Sequence, residues 1–440
     1  MQYHSELAVD FLKEYFGELR NQSIVHAVLR NSEGLPKTNS SKDVDILFSK
    51  EDLFEAKQVA LTIAYKLGYQ CIWKNPLDYL FGMVIIKQVG NVVYTVKLDL
   101  FNGLMWRGFD YCATDKLLES RVDSEVFRLQ PLDEAIVMLI YYSLFARTIK
   151  EKYRIKIKAA IHNESFEVRF RELTGLAWLD FTLDEYENWD ELCENIRKRQ
   201  IMKFLLSFKS YVRLIRSTYL ETFVRFKLGT FISISGFDGC GKSTLINPLN
   251  ALFSDLGISD KDIPDHFLSA RIPAPHKLFH KVRVETEKEY TQPYSKGQTN
   301  IFMSVIRLTY YLFAFLVDRL LILTRMRYNT IVIYDRHIID FLVDLSRFRI
   351  RSIPLYSSIF KRINGRRDIR LVVLADPRLS VERKNELSLK KAEELYVSYS
   401  QMTSHLREVQ LFKNNLAIND AINSFNKLVF DQLEKRYKNV

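Results

Sequence analysis

The segment Gly236-Phe237-Asp238-Gly239-Cys240-Gly241-Lys242-Ser243-Thr244 sets three glycines, a lysine and two hydroxyls at the spacing GxxxxGK[ST]. Glycines let successive backbone N–H groups turn inward around phosphate oxygens. A helix starting beside the lysine adds the positive end of its dipole. In that chemistry Gly236, Gly239 and Gly241 shape the cradle. Lys242 reaches the β and γ phosphates, and the Ser243 hydroxyl, with Thr244 beside it, faces a Mg²⁺ ion. A chance glycine-rich turn is the competing explanation. A metal at this point needs a second carboxylate. The apolar run Ile331-Val332-Ile333-Tyr334 ends in Asp335-Arg336-His337, so Asp335 would hold Mg²⁺ through water and Arg336 would face phosphate. The alternative is an acid that only caps the next helix.

A second set of carboxylates lies near the N-terminus. Asp43 and Asp45 stand two apart in Lys42-Asp43-Val44-Asp45-Ile46-Leu47-Phe48, and on a strand such residues share one face. Asp99, in Val96-Lys97-Leu98-Asp99-Leu100, lies on another expected strand. Three carboxylates on one face suit one or two Mg²⁺ ions. The bland alternative is a solvated face on an edge strand.

These residues need elements to position them. Residues 5–20 read as an amphipathic helix and 53–67 as another. Residues 25–30, 44–48, 83–87 and 92–101 read as strands. That is a small α+β unit over 1–130. Residues 131–228 are helical in period, with 132–145 the clearest piece. Over 229–440, short β-rich runs at 231–235, 267–270, 330–334, 371–375 and 416–418 alternate with long helical patterns, which predicts βαβ units and a parallel sheet. The overall class is therefore α/β, in three units. Pro248 falls inside the helix after the glycine loop and is expected to kink it.

Gly-x-Asp-Gly-x-Gly-Lys-Ser-Thr, Asp335-Arg336-His337, and Ala375-Asp376-Pro377 followed by Arg383-Lys384 together resemble the thymidylate kinases over residues 229–440. The resemblance implies a five-stranded parallel sheet with flanking helices, an ATP site on the phosphate loop, and an arginine-bearing lid. It implies that Asp238 contacts the acceptor hydroxyl. Arg271, in Arg271-Ile272-Pro273, would touch the acceptor, and Arg383 and Lys384 would be the lid cations. Arg307 is the candidate for the acceptor's phosphate. Pro273-Ala274-Pro275 stands where the family has Pro-Gly-Gly. The stretches at 335–344 and 383–388 are more similar to a divergent branch often encoded among surface-polysaccharide genes. The expected acceptor is accordingly a nucleotide, a sugar or a glycan end. The Asp43-x-Asp45 pair with Asp99 resembles the nucleotidyltransferase superfold, which implies a metal-dependent NMP transfer site over residues 1–130.

Composition bounds the partners. The chain has 440 residues, 64 Lys plus Arg against 53 Asp plus Glu, and a formal charge of +11. Apolar residues make up 47%, which excludes wholesale disorder. Two windows carry the surplus: nine basic residues and one acid at 197–227, and eight basic residues and one acid at 347–370. Aromatics interleave the first window at helical spacing, so core packing with a basic outer face is simpler than nucleic-acid stacking. Contact with an anionic membrane surface is the other option there. The second window reads as a solvated basic face or an acceptor platform. Four scattered cysteines have no zinc spacing and fit a reducing compartment. No signal peptide is apparent. Residues 308–323 contain Asp318 and Arg319 and read as a buried amphipathic helix, too short without interruption to span a bilayer. The expectation is a cytoplasmic ATP- and Mg²⁺-dependent kinase, with peripheral contact at the inner face of a membrane as an option. Two alternatives stand beside it: NMP transfer through the N-terminal site, or a non-catalytic protein gated by ATP.

Overall fold

The computed structural model describes residues 4–38, 43–178, 188–205, 208–259, 265–266, 297–336, 338–362, 368–384, 386–406 and 409–438. The chain forms two compact units. One comprises Ser5–Val224 with Leu433–Val440, the other Arg225–Gln432 with Met1–His4.

In the first unit, apolar alternation builds β1 (His4–Leu7), β2 (His26–Val28), β3 (Asp43–Phe48), β4 (Gln70–Pro76), β5 (Leu80–Val89) and β6 (Val92–Phe101). They form one sheet in the order β2-β3-β6-β5-β4, with β1 also pairing β6. β3 and β6 run parallel; β2 with β3, β4 with β5, and β5 with β6 are antiparallel. The period of two sorts side chains onto two cores. Val44, Ile46, Phe48, Leu98 and Leu100 pack with the helices Val9–Asn21 and Leu53–Lys66. On the other face, Ala27 and Leu47 share a core with the helices Pro131–Phe145, Glu151–Ile161, Phe166–Thr174 and Trp189–Leu205. Residues on either side of position 130 thus share one hydrophobic core. A short hairpin, β7 (Met105–Trp106) and β8 (Phe109–Asp110), adds to that face. Two details differ from the periodicity. The expected helix over 5–20 begins at Val9, because His4–Leu7 is taken into the sheet. β4 is an added strand, whose Lys74, Asn75 and Pro76 mask its alternation.

In the second unit, β9 (Thr230–Ser235), β10 (Asp265–His266), β11 (Ile331–Asp335), β12 (Asp368–Leu374) and β13 (Val409–Lys413) form a sheet in the order β10-β11-β9-β12-β13. Every pair is parallel. β9 and β11 are buried along their whole length, as strands covered on both faces must be. Phe231, Val332 and Tyr334 pack under Ile322 and Met326 of the helix Ile301–Met326. Phe237, Val372 and Leu374 pack under Ala392, Leu395 and Tyr399 of the helix Leu389–His405. The chain builds leftward from β9 and then rightward to β12 and β13, so β9 and β12 flank the point where the order reverses. In open α/β sheets ligands bind in the crevice beyond the strand ends at such a point.

Several expectations are corrected. The run at 416–418 is not a strand. β13 lies earlier, at Val409–Lys413, and Ile418 opens the helix Ile418–Tyr437. The expected strand at 267–270 lies outside the described residues; the described one is Asp265–His266. The helix Lys242–Asp255 runs on through Pro248, which forfeits one backbone bond without ending it. The stretch at 308–323 belongs to a 26-residue helix, long and apolar enough to cross a membrane by length and composition, and most of its apolar stretch is not buried. It is therefore not a buried helix. One face packs, through Leu308, Phe315, Ile322 and Met326, while Phe313, Leu316 and Leu320 are exposed. Its mid-helix charges engage the sheet: Tyr334 Oη donates to Asp318 at 3.1 Å, and Arg319 pairs with Asp368 at 3.0 Å.

Candidate functional site

The loop between β9 and the helix Lys242–Asp255 wraps around its own lysine. Lys242 Nζ donates to the carbonyls of Gly236 at 2.7 Å and Phe237 at 2.9 Å. The loop can take this shape because glycine occupies its left-handed positions. Gly239 has φ +84, and a Cβ there would stand 2.2 Å from the Ser380 carbonyl oxygen. Gly241 has φ +88, and a Cβ there would stand 2.4 Å from Asn414 Nδ2. That Asn414 amide donates to the Cys240 carbonyl at 2.7 Å, so the residue following β13 braces the loop.

A cavity of about 560 Å³ opens above the loop, a size suited to a small ligand. Asp238, Gly239, Gly241, Lys242, Ser243, Thr244, Asp335, Arg336, Arg383 and Lys384 all line it, so ten of the expected site residues converge at the ends of β9, β11 and β12. Gly236 lies beneath, accepting from Lys242 and, at 3.3 Å, from Arg336 Nη1. One expected residue among those described is not brought in. Arg307 is directed to the Phe348 carbonyl at 3.4 Å and does not line the cavity; its place on the Ile301–Met326 helix commits it to the 345–349 turn. Arg271 lies outside the described residues.

The electrostatics center on Asp238. It is buried, and burial alone would raise its pKa, yet Arg336 and Arg347 outweigh this and hold the carboxyl below its ordinary range. Arg336 Nη2 donates to Asp238 Oδ1 at 2.5 Å, and Arg347 pairs with Oδ2. Arg336 reaches back because its backbone is left-handed, φ +77, a conformation uncommon outside glycine. Asp335 is buried at the cavity wall. With Lys242, Arg336, Arg347, Arg383 and Lys384 against two aspartates, the cavity suits a polyanion. Ser243 and Asp335 supply hard oxygen atoms on the same wall, the donor chemistry that Mg²⁺ prefers.

Arg347 and Asn414 were not singled out as site residues by sequence. Arg347 belongs to the basic window at 347–370, and that window is not uniformly solvated: Arg347 lines the cavity and Arg370 is 3% exposed inside the sheet. Asn414 carried no such signal, because the strand it follows, Val409–Lys413, was not the one expected at 416–418.

In the first unit, the parallel register sets Asp45 directly beside Asp99, and Asp43 beside Lys97. β3 is an interior strand and Asp45 is buried, so this is no solvated edge. Asp43 and Asp45 share the face of Leu47, toward the helical core. Two cations already occupy that face. Arg30 Nε donates to Asp45 at 2.5 Å, its guanidinium over the Tyr141 ring, and Lys97 pairs with Asp99 at 3.7 Å. Burial, with the charges of Asp45 and Asp43, pushes Asp99 up to about 6 against the pull of Lys97. Burial likewise raises Asp43. Among the described residues, no group of three or more His, Cys, Asp or Glu is arranged to hold a metal ion.

No protein-family model matches the chain, and no curated protein matches it at a significant level. Fold and site therefore define a class by themselves: a mixed α/β protein with a basic, glycine-walled cavity at the ends of parallel strands.

Proposed function

We propose that the second unit is a P-loop phosphotransferase, thymidylate-kinase-like in arrangement, that moves the γ-phosphoryl of ATP to a nucleotide, sugar or glycan acceptor. The observation that carries this reading is the convergence of Lys242, Ser243 and Asp335 with four arginine or lysine partners on one cavity. Lys242 exchanges its loop carbonyls for phosphate oxygens. The Ser243 hydroxyl and Asp335 would hold Mg²⁺, which when bound neutralises charge on the phosphates. Arg383 and Lys384 approach from the β12 side and stabilise charge on the transferred group. Asp238, kept ionised by its arginines, accepts the hydrogen bond of the attacking hydroxyl and orients it. Arg336 sets Asp238 and faces the phosphates. On this reading the chain works in the cytoplasm, where its four free cysteines stay reduced, and its partners are a nucleotide and a phosphate or hydroxyl acceptor.

The test is an ATP-consumption screen over nucleoside monophosphates, sugars and glycan ends, with mass detection of a phosphorylated product. A product formed by the wild type and lost in Lys242→Ala supports the reading. Turnover unchanged by Lys242→Ala sinks it, and nucleotide binding without any transfer supports a gated binding protein instead.

The register of Asp45 beside Asp99 favours one second reading, NMP transfer in the first unit. It requires a metal to displace Arg30 and Lys97 from the carboxylates. Asp43→Asn with Asp45→Asn decides it: nucleotidylated product must vanish while ATP hydrolysis by the second unit continues.

A further inference from the structure

We infer that Asp340 and Tyr399 form a positioning pair that sets the Arg336 guanidinium for phosphoryl transfer; the inference rests on the kinase reading of the cavity. Asp340 lies four residues beyond Arg336, on the helix Ile338–Val343, and is fully buried. A buried carboxylate is retained only where partners satisfy it. Asp340 Oδ1 accepts from Tyr399 Oη at 2.6 Å, from Arg336 Nη1 at 3.5 Å and from the Gly236 backbone N–H at 3.5 Å. One oxygen thus touches the first glycine of the phosphate loop, the arginine after β11, and a tyrosine of the helix Leu389–His405.

The arginine needs such support. Its left-handed backbone must be held by its surroundings. On its cavity side its other nitrogen, Nη2, donates to Asp238, so the guanidinium is stretched between Asp238 in front and Asp340 behind. Tyr399 is fully buried, and its ring packs with Phe237 of the loop at a centroid distance of 6.5 Å. It sits on the helix that follows the Arg383–Lys384 turn. Neither Asp340 nor Tyr399 lines the cavity. Both act through Arg336 and the loop, and a small misplacement of a group that stabilises transferred charge is costly in rate.

The experiment is steady-state kinetics of the full chain with Tyr399→Phe, which removes one hydroxyl and keeps the ring. The expected result is a fall in kcat of about tenfold, with KM for ATP within about twofold, in a protein that stays folded at the assay temperature although its melting temperature falls by a few degrees. In an Arg336→Lys background the same substitution should cost little, because its effect runs through the guanidinium. Equal kcat in a folded Tyr399→Phe protein, or full costs that multiply in the double variant, overturns the inference. Asp340→Asn, isosteric but uncharged, is the second variant and should reproduce the kcat loss. Absence of ATP turnover in the wild type overturns the kinase reading first, so the two failures are distinguishable.

Discussion

Replacing Gly239 by alanine tests the glycine-walled cradle. The residue sits at φ +84, where a side chain costs about 1 kcal/mol of backbone strain. Its Cβ would also stand 2.2 Å from the Ser380 carbonyl oxygen and 2.9 Å from the carbonyl carbon. That group is backbone in the helix Pro377–Arg383, and it accepts the Lys384 N–H at 3.1 Å, so it cannot swing aside alone. Displacing packed atoms of this kind costs about 1–3 kcal/mol. Together the two effects disfavour the loop's binding shape by about 3 kcal/mol. A binding-competent fraction reduced by that amount weakens apparent affinity about a hundredfold. The assay is calorimetric titration with Mg·ATP, beside Gly68→Ala as control: Gly68 has φ +75 and nothing within 4 Å of a Cβ, so only local strain is added there. A folded Gly239→Ala protein that binds within threefold of the wild type would refute the close-approach reasoning.

Three further outcomes follow from the same geometry. Arg347→Ala removes one of the two arginines paired with Asp238; its pKa rises, and the acid limb of the activity profile moves to higher pH, which a pH–rate series measures. His26 is pushed down to about 4 by burial, among Phe16, Phe48 and Phe127, so the folded state stays neutral while the unfolded chain takes up a proton below about pH 6.5. Stability of the first unit therefore falls as pH drops from about 6.5 to 4, by up to about 3 kcal/mol, and His26→Phe should flatten that slope in denaturant titrations. Asn414→Ala removes the brace on the Cys240 carbonyl and should weaken Mg·ATP binding about tenfold with little change in melting temperature.

Legibility of the chain tracked how local each signal was. β3, β5, β6, β9, β11 and β12 announce themselves because apolar runs or alternation need no partner to be recognised. β4 did not, since Lys74 and Asn75 are polar residues buried by their neighbours. The apolar run at 416–418 misled for the opposite reason: Leu416 and Ile418 line the cavity at a helix start instead of filling a strand. The helix Ile301–Met326 was recognisable as a helix, but composition does not say which of its apolar faces finds a partner. At the site, the glycine loop, Asp335 and Arg336 were readable from spacing. Arg347, Asn414, Asp340 and Tyr399 depend on strand order and on how distant turns meet. Their roles come from tertiary placement, which no short window encodes. The Asp43, Asp45 and Asp99 set was found by pattern, but the cations beside it, Arg30 and Lys97, change what the pattern means.

The claim on which the rest depends is that the glycine-walled cavity binds a nucleotide through Lys242. Calorimetry of the intact chain with ATP, with and without Mg²⁺, tests it most directly against Lys242→Ala. The account predicts one Mg²⁺-strengthened ATP site in the wild type, weakened at least tenfold in a Lys242→Ala protein of unchanged melting temperature. Equal ATP binding by the two proteins, or none by the wild type, contradicts it.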